Sequence, residues 1–173
     1  KHAPDLVAVF SADHIYRMDV RQMVDFHLRS GADVTVAALP VPIGEASAFG
    51  IIDADADGVI HNFREKPVDP VPMANDPARA FASMGNYIFN ADVLSKALKE
   101  GKRLGEKDFG KDMLPRLIKT KRVFAYDFGE NEVPGIRDYE EPGYWRDVGT
   151  IDAYFQAHQD LLGVEPKFDM FNP

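Results

Sequence analysis

Two short apolar runs joined by a capped helix pattern narrow the possible folds of this chain more than any other feature. The first run covers residues 6–10 and the second covers 34–39, and both are apolar almost throughout. Between them, Asp19 can cap a helix that ends near Ser30, with Gly31 as its stop. Strands buried on both faces have this composition, and a strand–helix–strand order is typical of a crossover between parallel strands. The pattern therefore predicts an α/β fold with parallel pairing.

An aspartate follows closely after each of two apolar segments that are far apart in the sequence. Residues 6–10 are followed by Ser11-Ala12-Asp13, and the pair Tyr144-Trp145 is followed by Arg146-Asp147. Ligands of open parallel sheets bind beyond the carboxyl ends of the strands, and Mg²⁺ takes one or two protein carboxylates beside water and phosphate. Asp13 and Asp147 could therefore share one Mg²⁺, which indicates phosphoryl or nucleotidyl transfer. The alternative from spacing alone is that both are turn residues or helix caps.

The middle of the chain has a different pattern, that of a β-hairpin followed by a long loop. Residues 49–54 and 59–63 fit two strands joined by a turn that ends in Asp57-Gly58. A proline-rich loop of about 15 residues follows, and loops of this length tend to be functional or mobile. The further predicted elements are a strand over 82–90, helices over 91–101 and 109–119, a strand over 123–128 and a helix from Thr150 to about Leu162. The last helix carries a predicted apolar stripe of Ile151, Tyr154, Phe155, His158, Leu161 and Leu162.

Composition bounds the size of the fold and the classes of partner. The chain has 173 residues, enough for one domain with a sizeable core. Its net charge of −8 argues against a nucleic-acid partner, and its apolar runs are too short to span a membrane. It contains no cysteine, which excludes disulfides, thiolate zinc sites and thiol nucleophiles. A small phosphate ligand is compatible with this charge, since one lysine and a bound metal can neutralise it locally.

The tripeptide Glu65-Lys66-Pro67 closes the second strand of the predicted hairpin. Lysine is a compact cation that can hold a phosphate, and Pro67 is expected to keep Lys66 extended. Because neighbours on a regular strand point to opposite faces, Glu65 and Lys66 can serve one ligand only if the strand distorts or the ligand wraps its end. An exposed, charged strand end is the alternative interpretation.

Two further motifs resemble known metal sites but lack the parts that would complete them. Asp53-x-Asp55-x-Asp57-Gly58 begins like a calcium loop, yet its twelfth position is Arg64 instead of a bidentate glutamate. Asp108-Phe109-Gly110 matches the magnesium triplet of protein kinases, whose glycine-rich loop and catalytic loop have no counterpart here. We therefore expect a hairpin turn at the first motif and no kinase activity from the second.

Six motifs occur in order along the chain: Ser11-Ala12-Asp13-His14-Ile15-Tyr16, Ala48-Phe49-Gly50, Phe63-Arg64-Glu65-Lys66-Pro67, Ser83-Met84-Gly85-Asn86-Tyr87, Asp108-Phe109-Gly110-Lys111-Asp112 and Tyr144-Trp145-Arg146-Asp147-Val148-Gly149-Thr150. Together they resemble the sugar-phosphate nucleotidyltransferase superfamily and, within it, the glucose-1-phosphate adenylyltransferase (ADP-glucose pyrophosphorylase) family. The resemblance covers essentially the whole chain, and the motif at 144–150 is especially specific within that superfamily.

The resemblance implies a Rossmann-like α/β fold with a mixed, mostly parallel sheet and flanking helices, incomplete at its N-terminus. Residues 1–163 would be the C-terminal part of the nucleotidyltransferase catalytic domain, and 164–173 a linker toward an absent β-helix domain. The amino-terminal glycine-rich loop of the family, which grips the ATP phosphates, has no counterpart in this sequence. We therefore expect this chain on its own to be inactive.

The functional residues of the family can be carried over to matching positions of this sequence. By resemblance, Asp13 and Asp147 are the Mg²⁺ ligands, and Lys66 holds the sugar phosphate. These three residues are the implied catalytic set. The residues implied at the glucose 1-phosphate site are Gly50, Glu65, Lys66, Ser83, Tyr87 and Asp108, with Trp145 shaping its wall.

The implied reaction transfers AMP from ATP to glucose 1-phosphate, giving ADP-glucose and pyrophosphate for glycogen-type storage. An oxygen of glucose 1-phosphate, already anionic near neutral pH, attacks the α-phosphorus in line, so no protein base is needed. The resemblance further implies a cytoplasmic homotetramer, with neither nucleic acid nor a membrane as partner. Two alternatives stay open, namely a relative that uses another base or sugar and a non-catalytic regulatory subunit.

Overall fold

A computed structural model describes residues 3–171, which form eight β-strands and four α-helices. The strands are β1 (Leu6–Val9), β2 (His14–Tyr16), β3 (Val34–Pro42), β4 (Gly50–Ala54), β5 (Ile60–Glu65), β6 (Arg79–Asn90), β7 (Val123–Asp127) and β8 (Trp145–Asp147). The helices are α1 (Val20–Ser30), α2 (Ala91–Leu104), α3 (Leu114–Ile118) and α4 (Ile151–Gln159). No helix within the described range is long and apolar enough to cross a membrane.

The central strand of the main sheet is β6, which is 12 residues long. One of its edges pairs with β3, and its other edge is shared by β1 at one end and β4 at the other. The sheet continues to β5 beyond β4 and to β7 beyond β3, in the order β5-β4-β6-β3-β7. Strands β2 and β8 pair separately as a two-stranded antiparallel ribbon.

The predicted α/β class, with a mixed sheet and flanking helices, is confirmed, but the expectation of mostly parallel pairing needs correction. Among the described strands, only β3 and β7 pair in parallel in the main sheet, and its other four pairings are antiparallel. Strands β1 and β3 do run in the same direction, because both are antiparallel to β6, which lies between them. The crossover through α1 sets the direction of β3 relative to β1, but it does not require the two strands to be neighbours, and β6 lies between them.

Local sequence signals account for most of the element ends. The Asp19 side chain accepts the Arg21 backbone N–H at the start of α1, and Gly31 ends this helix at a φ of 60°. The hairpin of β4 and β5 forms as predicted around Gly58. Pro115 is the second residue of α3. A π-helical segment, Phe109–Met113, fills the part of the predicted helix before it.

Buried side chains form an apolar cluster on each face of the sheet. On one face, Val36 and Phe89 pack against α2 and α3 through residues such as Val93 and Leu114. On the other face, the members are Met23 of α1, Ala37, Met84, Ile88, Tyr126, Phe128 and Trp145 of β8. Because Trp145 belongs to this second cluster, the β2–β8 ribbon is attached to the sheet through apolar packing.

The predicted apolar stripe of α4 is wrong in part. Ile151 and Phe155 are 86% and 63% exposed, and the buried residue of the helix is Ala157. The helix also ends at Gln159 rather than near Leu162. Apolar residues at helical spacing indicate that a helix has an apolar side. In α4, no element of the described residues packs against that side.

The segment after α4 folds back onto the ribbon. The Phe168 ring lies 4.8 Å from that of Tyr144, and the Arg17 guanidinium lies 4.5 Å from the Phe168 ring centre. Thus, part of the predicted linker 164–173 is packed against the domain. The boundary at residue 163 stays a prediction, and residues 1–2 and 172–173 of the two predicted segments lie outside the described range.

A buried polar group joins α1 to two strands and makes folding sensitive to pH. His27 is 1% exposed, and its Nδ1 and Nε2 lie 2.8 Å from Thr35 Oγ1 and 3.3 Å from Asn90 Oδ1. Asn90 Nδ2 donates to the Ala32 carbonyl, so Asn90 Oδ1 accepts from His27 Nε2–H and Thr35 donates to Nδ1. Burial lowers the pKa of His27 below its ordinary value of 6.5.

This linkage predicts that the free energy of unfolding falls as the pH drops below about 6.5. In that range His27 binds a proton in the unfolded chain but stays neutral in the folded chain, so acid favours unfolding. Urea unfolding at pH 7.5 and 5.5 should show a larger loss of stability for the wild type than for His27→Gln. Equal losses in the two proteins would contradict the buried, neutral state of His27.

Candidate active site

A cleft of about 480 Å³ opens beside the end of β1. Four of the predicted site residues, Glu65, Ser83, Tyr87 and Asp108, line it together. They come from β5, β6 and the start of the π-helical segment, which the fold brings together from distant parts of the sequence. The other lining residues are Val9, Phe10, Ser11, His14, Phe63, Gly85, Lys107, Phe109 and Gly110.

A larger depression of about 910 Å³ lies elsewhere, between the outer face of α1, the β4–β5 turn and β7. It is lined by several acidic side chains, among them Asp25, Asp76 and Asp127. Burial raises the pKa of Asp127. None of the predicted site residues lines this depression, so we place the candidate site in the smaller cleft, where the chemistry-bearing residues meet.

The wall of the cleft contains an aromatic pair next to polar groups. The Tyr87 and Phe109 rings stack with their centres 5.8 Å apart. Burial raises the pKa of Tyr87 to about 12, and the negative charges of Asp108 and Glu65 act in the same direction. The Tyr87 hydroxyl is therefore neutral at physiological pH and can donate a hydrogen bond. Such a wall combines an apolar surface for a ring with polar groups that can fix its orientation.

Asp108 is held by the backbone around it. Its Oδ1 accepts the Lys111 backbone N–H at 2.7 Å, which caps the π-helical segment. The Asp112 Oδ2 atom accepts the backbone N–H groups of Lys107 and Asp108 in return. Asp108, the first residue of the triplet that resembles a kinase motif, thus forms a reciprocal cap with Asp112. This cap sets the position of the Asp108 carboxylate at the edge of the cleft.

The backbone changes direction at Lys66, immediately after β5. Its φ is 45°, the only positive value at a non-glycine residue within 3–171. The expectation that Pro67 keeps Lys66 extended is therefore wrong. The end of β5 is distorted at Lys66, and a distorted strand end is one of the two conditions under which Glu65 and Lys66 can serve one ligand. A lysine in the left-handed region costs about 1–3 kcal/mol, and such strain is concentrated at functional sites. The Lys66 N–H donates to the Phe49 carbonyl at 3.0 Å, which ties this turn to the start of β4.

Gly50 is opposite Glu65 in the β4–β5 ladder. A Cβ atom at Gly50 would lie 2.6 Å from Phe63 Cζ and 3.1 Å from Glu65 Oε2. The absence of a side chain therefore lets the Phe63 ring and the Glu65 carboxylate occupy their positions beside the cleft. Gly50 does not itself line the cleft but supports two residues that do.

The β2–β8 ribbon brings Asp13 and Asp147 to neighbouring positions. Asp147 pairs with His14, and the Val148 N–H donates to the Asp13 carbonyl at 3.1 Å. Both side chains are exposed, and Asp147 Oδ1 accepts the Gly149 N–H at 3.0 Å. Asp13 precedes β2 in a bend, so the strict alternation of faces along a strand does not govern its side chain.

The chemistry of these two residues fits a hard cation. Carboxylate oxygens are the ligands that Mg²⁺ prefers, and one or two of them are typical when substrate phosphates complete the coordination. No group of three or more His, Cys, Asp or Glu residues suited to a metal occurs within 3–171. A metal bound here would therefore depend on Asp13 and Asp147 together with water and substrate.

Trp145 lies behind the cleft rather than in its lining. It is 8% exposed, and its ring packs edge-on against His14 at 5.1 Å and Phe49 at 5.8 Å. Three buried polar atoms, Trp145 Nε1, His14 Nδ1 and Asn86 Nδ2, have no hydrogen-bond partner in the part of the chain described. The Ser11 N–H donates to Asn86 Oδ1 at 3.4 Å, so Asn86 contacts the loop that carries Asp13.

Sequence reasoning left some of the lining residues out of the predicted site. Gly85 has a φ of 69°, and a Cβ atom there would lie 2.9 Å from Ser11 Oγ. A glycine inside a strand pattern is a signal for such close approach and could have identified it. Lys107 lines the cleft as well, but a lysine in a charged loop carries no signal of this kind.

The nucleotidyl transferase family model matches residues 1–163, so the chain belongs to this family. Similar proteins named glucose-1-phosphate adenylyltransferase occur in Thermodesulfovibrio yellowstonii, with 56% identity over 99% of this chain, and in an Anaeromyxobacter species, with 52% identity over 98%. A protein of the same name from Corynebacterium jeikeium is 50% identical over 98% of the chain. The chain spans 42% of the length of each of these three relatives.

The packing around Gly50 predicts that Gly50→Ala lowers the free energy of unfolding by about 1–3 kcal/mol, the usual cost of overpacking. Gly44→Ala is the matched control, since a Cβ atom there meets no atom within 4 Å. This control should change stability by about 0.5 kcal/mol or less. Urea unfolding of both variants measures the difference, and equal small effects would contradict the tight contact with Phe63 and Glu65.

Proposed function

We propose that this member of the nucleotidyl transferase family transfers AMP from ATP to glucose 1-phosphate, releasing pyrophosphate and forming ADP-glucose for glycogen-type storage. The observation that carries the proposal is the pairing of β2 with β8, which joins the Asp13 loop to Asp147 beside the cleft. The names of the similar proteins support the choice of ATP and glucose 1-phosphate as substrates.

In this proposal the cleft binds the sugar. The Glu65 carboxylate accepts hydrogen bonds from sugar hydroxyls, with Ser83 and Asp108 as further polar contacts. The stacked rings of Tyr87 and Phe109 offer an apolar surface to the sugar ring, as aromatic side chains in ligand sites do. Trp145 supports the wall from behind through His14. Water is excluded where these rings cover the ligand.

Lys66 is proposed to hold the phosphate of glucose 1-phosphate. On a regular strand, Lys66 would point to the face opposite Glu65. The left-handed turn at Lys66 lets its side chain take a different direction. With the phosphate held, one of its oxygens attacks the α-phosphorus of ATP and pyrophosphate leaves on the opposite side. The nucleophile is already anionic, so the chain needs to orient it rather than deprotonate it.

Asp13 and Asp147 are the proposed ligands of Mg²⁺. When bound, this ion would supply positive charge that offsets the negative charge of the reacting phosphates. The two carboxylates would hold the ion close to His14, which lines the cleft and is paired with Asp147. The chain has no need of a covalent nucleophile, which accords with its lack of cysteine.

A regulatory subunit without activity is the less favoured alternative, because Asp13, Lys66 and Asp147 are all present. By resemblance, we also propose a homotetramer, which sedimentation of the full-length protein can test. By the same resemblance, we propose that the protein acts in the cytoplasm.

Pyrophosphate release by the full-length protein tests the proposed reaction. ATP, UTP and dTTP should be supplied in turn with glucose 1-phosphate, and then ATP with other sugar 1-phosphates. The expected result is that ATP with glucose 1-phosphate gives the highest kcat/KM. Preference for another base or sugar would identify a related transferase, and no release with any pair would indicate a regulatory subunit.

Asp147→Asn should reduce kcat in the full-length protein by about two orders of magnitude or more, because a metal ligand that stabilises the transition state is lost. The melting temperature should change little, since the Asp147 side chain is exposed. Asp138→Asn, also at an exposed position, is the control and should keep normal activity. Near-normal activity of Asp147→Asn at saturating Mg²⁺ would refute the proposed role.

Lys66→Ala should mainly raise the KM for glucose 1-phosphate, by about 10- to 100-fold, because a charge-assisted contact to the phosphate is removed. Lys102→Ala, another exposed lysine, is the control and should keep the wild-type KM. Steady-state kinetics with each substrate varied separately would check this. A change confined to the KM for ATP would assign Lys66 to the nucleotide instead.

A further inference from the structure

The strand that carries Asp147 is anchored on both of its faces. Alternation along β8 places Trp145 and Asp147 on one side of the strand and Arg146 on the other. Trp145 is buried in the apolar cluster that contains Met84 and Ile88. Arg146 is held on the opposite face by acidic side chains. Arg146, directly before Asp147, is thus fixed by ionic contacts, and Trp145 is fixed by apolar packing.

The contacts of Arg146 use most of its guanidinium. Its Nη1 and Nη2 donate to the two carboxylate oxygens of Glu141 at 2.9 and 2.6 Å, and its Nε donates to Asp160 Oδ2 at 3.0 Å. The guanidinium also lies 4.3 Å from the centre of the Tyr144 ring. A two-pronged contact of this kind fixes direction as well as distance, which a lysine cannot reproduce.

Asp160 is a suitable fixed point for this contact. It is 3% exposed and lies immediately after α4. Besides Arg146, it accepts from the Tyr144 hydroxyl at 3.2 Å and from Gln156 at 3.3 Å, and Lys167 Nζ lies 3.4 Å from it. These contacts hold the carboxylate in one orientation, so Arg146 meets a partner that is already positioned.

The partner strand is held by the same region. Arg17 directly follows β2 and donates to Glu140 Oε2 at 2.9 Å, and Glu140 is 5% exposed. The Arg17 guanidinium also lies over the Phe168 ring. Both strands of the ribbon are therefore tied to acidic residues that lie outside the cleft and are not part of its lining.

We propose that Arg146, held by Glu141 and Asp160, is a positioning residue that fixes β8 so that Asp147 meets the Asp13 loop and both carboxylates can bind one divalent cation. This inference rests on the proposed function. Arg146 and Glu141 are partly buried and Asp160 is buried. Ion pairs that are removed from water are weak evidence for stability and in some proteins serve to fix one geometry. The consequence is that a change at Arg146 affects cation affinity beyond any effect on folding.

Mn²⁺ titration of the full-length protein, with the free ion followed by electron paramagnetic resonance, tests the proposal without relying on turnover. Arg146→Lys keeps the charge and loses the two-pronged contact, and its Kd for Mn²⁺ should rise about tenfold. Arg116→Lys is the matched control, because Arg116 likewise binds two carboxylates, those of Glu100 and Glu106, and is similarly exposed. The Kd of this control should stay within about twofold of the wild type.

Hydrogen exchange of the Val148 amide supplies a second measurement, since that N–H donates to the Asp13 carbonyl. Exchange should be faster in Arg146→Lys and unchanged in Arg116→Lys. If Arg146→Lys does not fold, Asp160→Asn replaces it, with an expected increase in the Kd for Mn²⁺ of about threefold.

Two results would overturn the proposal while leaving the proposed function intact. One is an Arg146→Lys protein with wild-type Mn²⁺ affinity and Val148 protection, when Asp147→Asn has lost the site. The other is an equal loss of affinity in Arg116→Lys, which would show a general effect of destabilisation. If Asp147→Asn binds Mn²⁺ as tightly as the wild type, the proposed metal site fails, and this inference fails with it.

Discussion

The pairing of β2 with β8 is the contact on which the candidate site depends. It joins the loop after the first strand to a segment near the other end of the chain, through the bond from the Val148 N–H to the Asp13 carbonyl. A two-stranded ribbon is at best marginally stable by itself in water. Its persistence here requires attachment to the domain, which the packing of Trp145 against the sheet provides on one face.

The cleft and the ribbon have different physical characters. The cleft is built on the long strand β6, the central strand of the sheet, so Ser83 and Tyr87 belong to a strand that is paired on both sides. The ribbon lies at the margin and is held through Trp145 and the ion pairs of Arg146. A site for phosphate chemistry needs both parts, a shaped wall for the sugar and well-placed charges for the phosphates.

Much of this arrangement follows from local sequence signals, and the rest depends on tertiary contacts. The residues of the cleft follow from the resemblance to a known family rather than from a local pattern. The capped helix α1 and the hairpin at Gly58 are predictable because caps and turns are local. The position of β6 between β1 and β3 is not predictable, because a crossover helix sets the direction of the next strand but not which strand lies beside it. The left-handed turn at Lys66 and the contact of Arg146 with Asp160 are not predictable either, because both depend on tertiary contacts: the Lys66 N–H donates to the Phe49 carbonyl, and Asp160 lies 14 residues from Arg146.

The most direct test of this account is a crystal structure of the full-length protein with Mn²⁺ and ADP-glucose, analysed through the anomalous scattering of the metal. We expect one metal peak about 2.1 Å from a carboxylate oxygen of both Asp13 and Asp147, the distance typical of small divalent cations. The sugar should lie in the cleft against Glu65 and Tyr87. A metal bound elsewhere, or bound by only one of the two aspartates, would contradict the account.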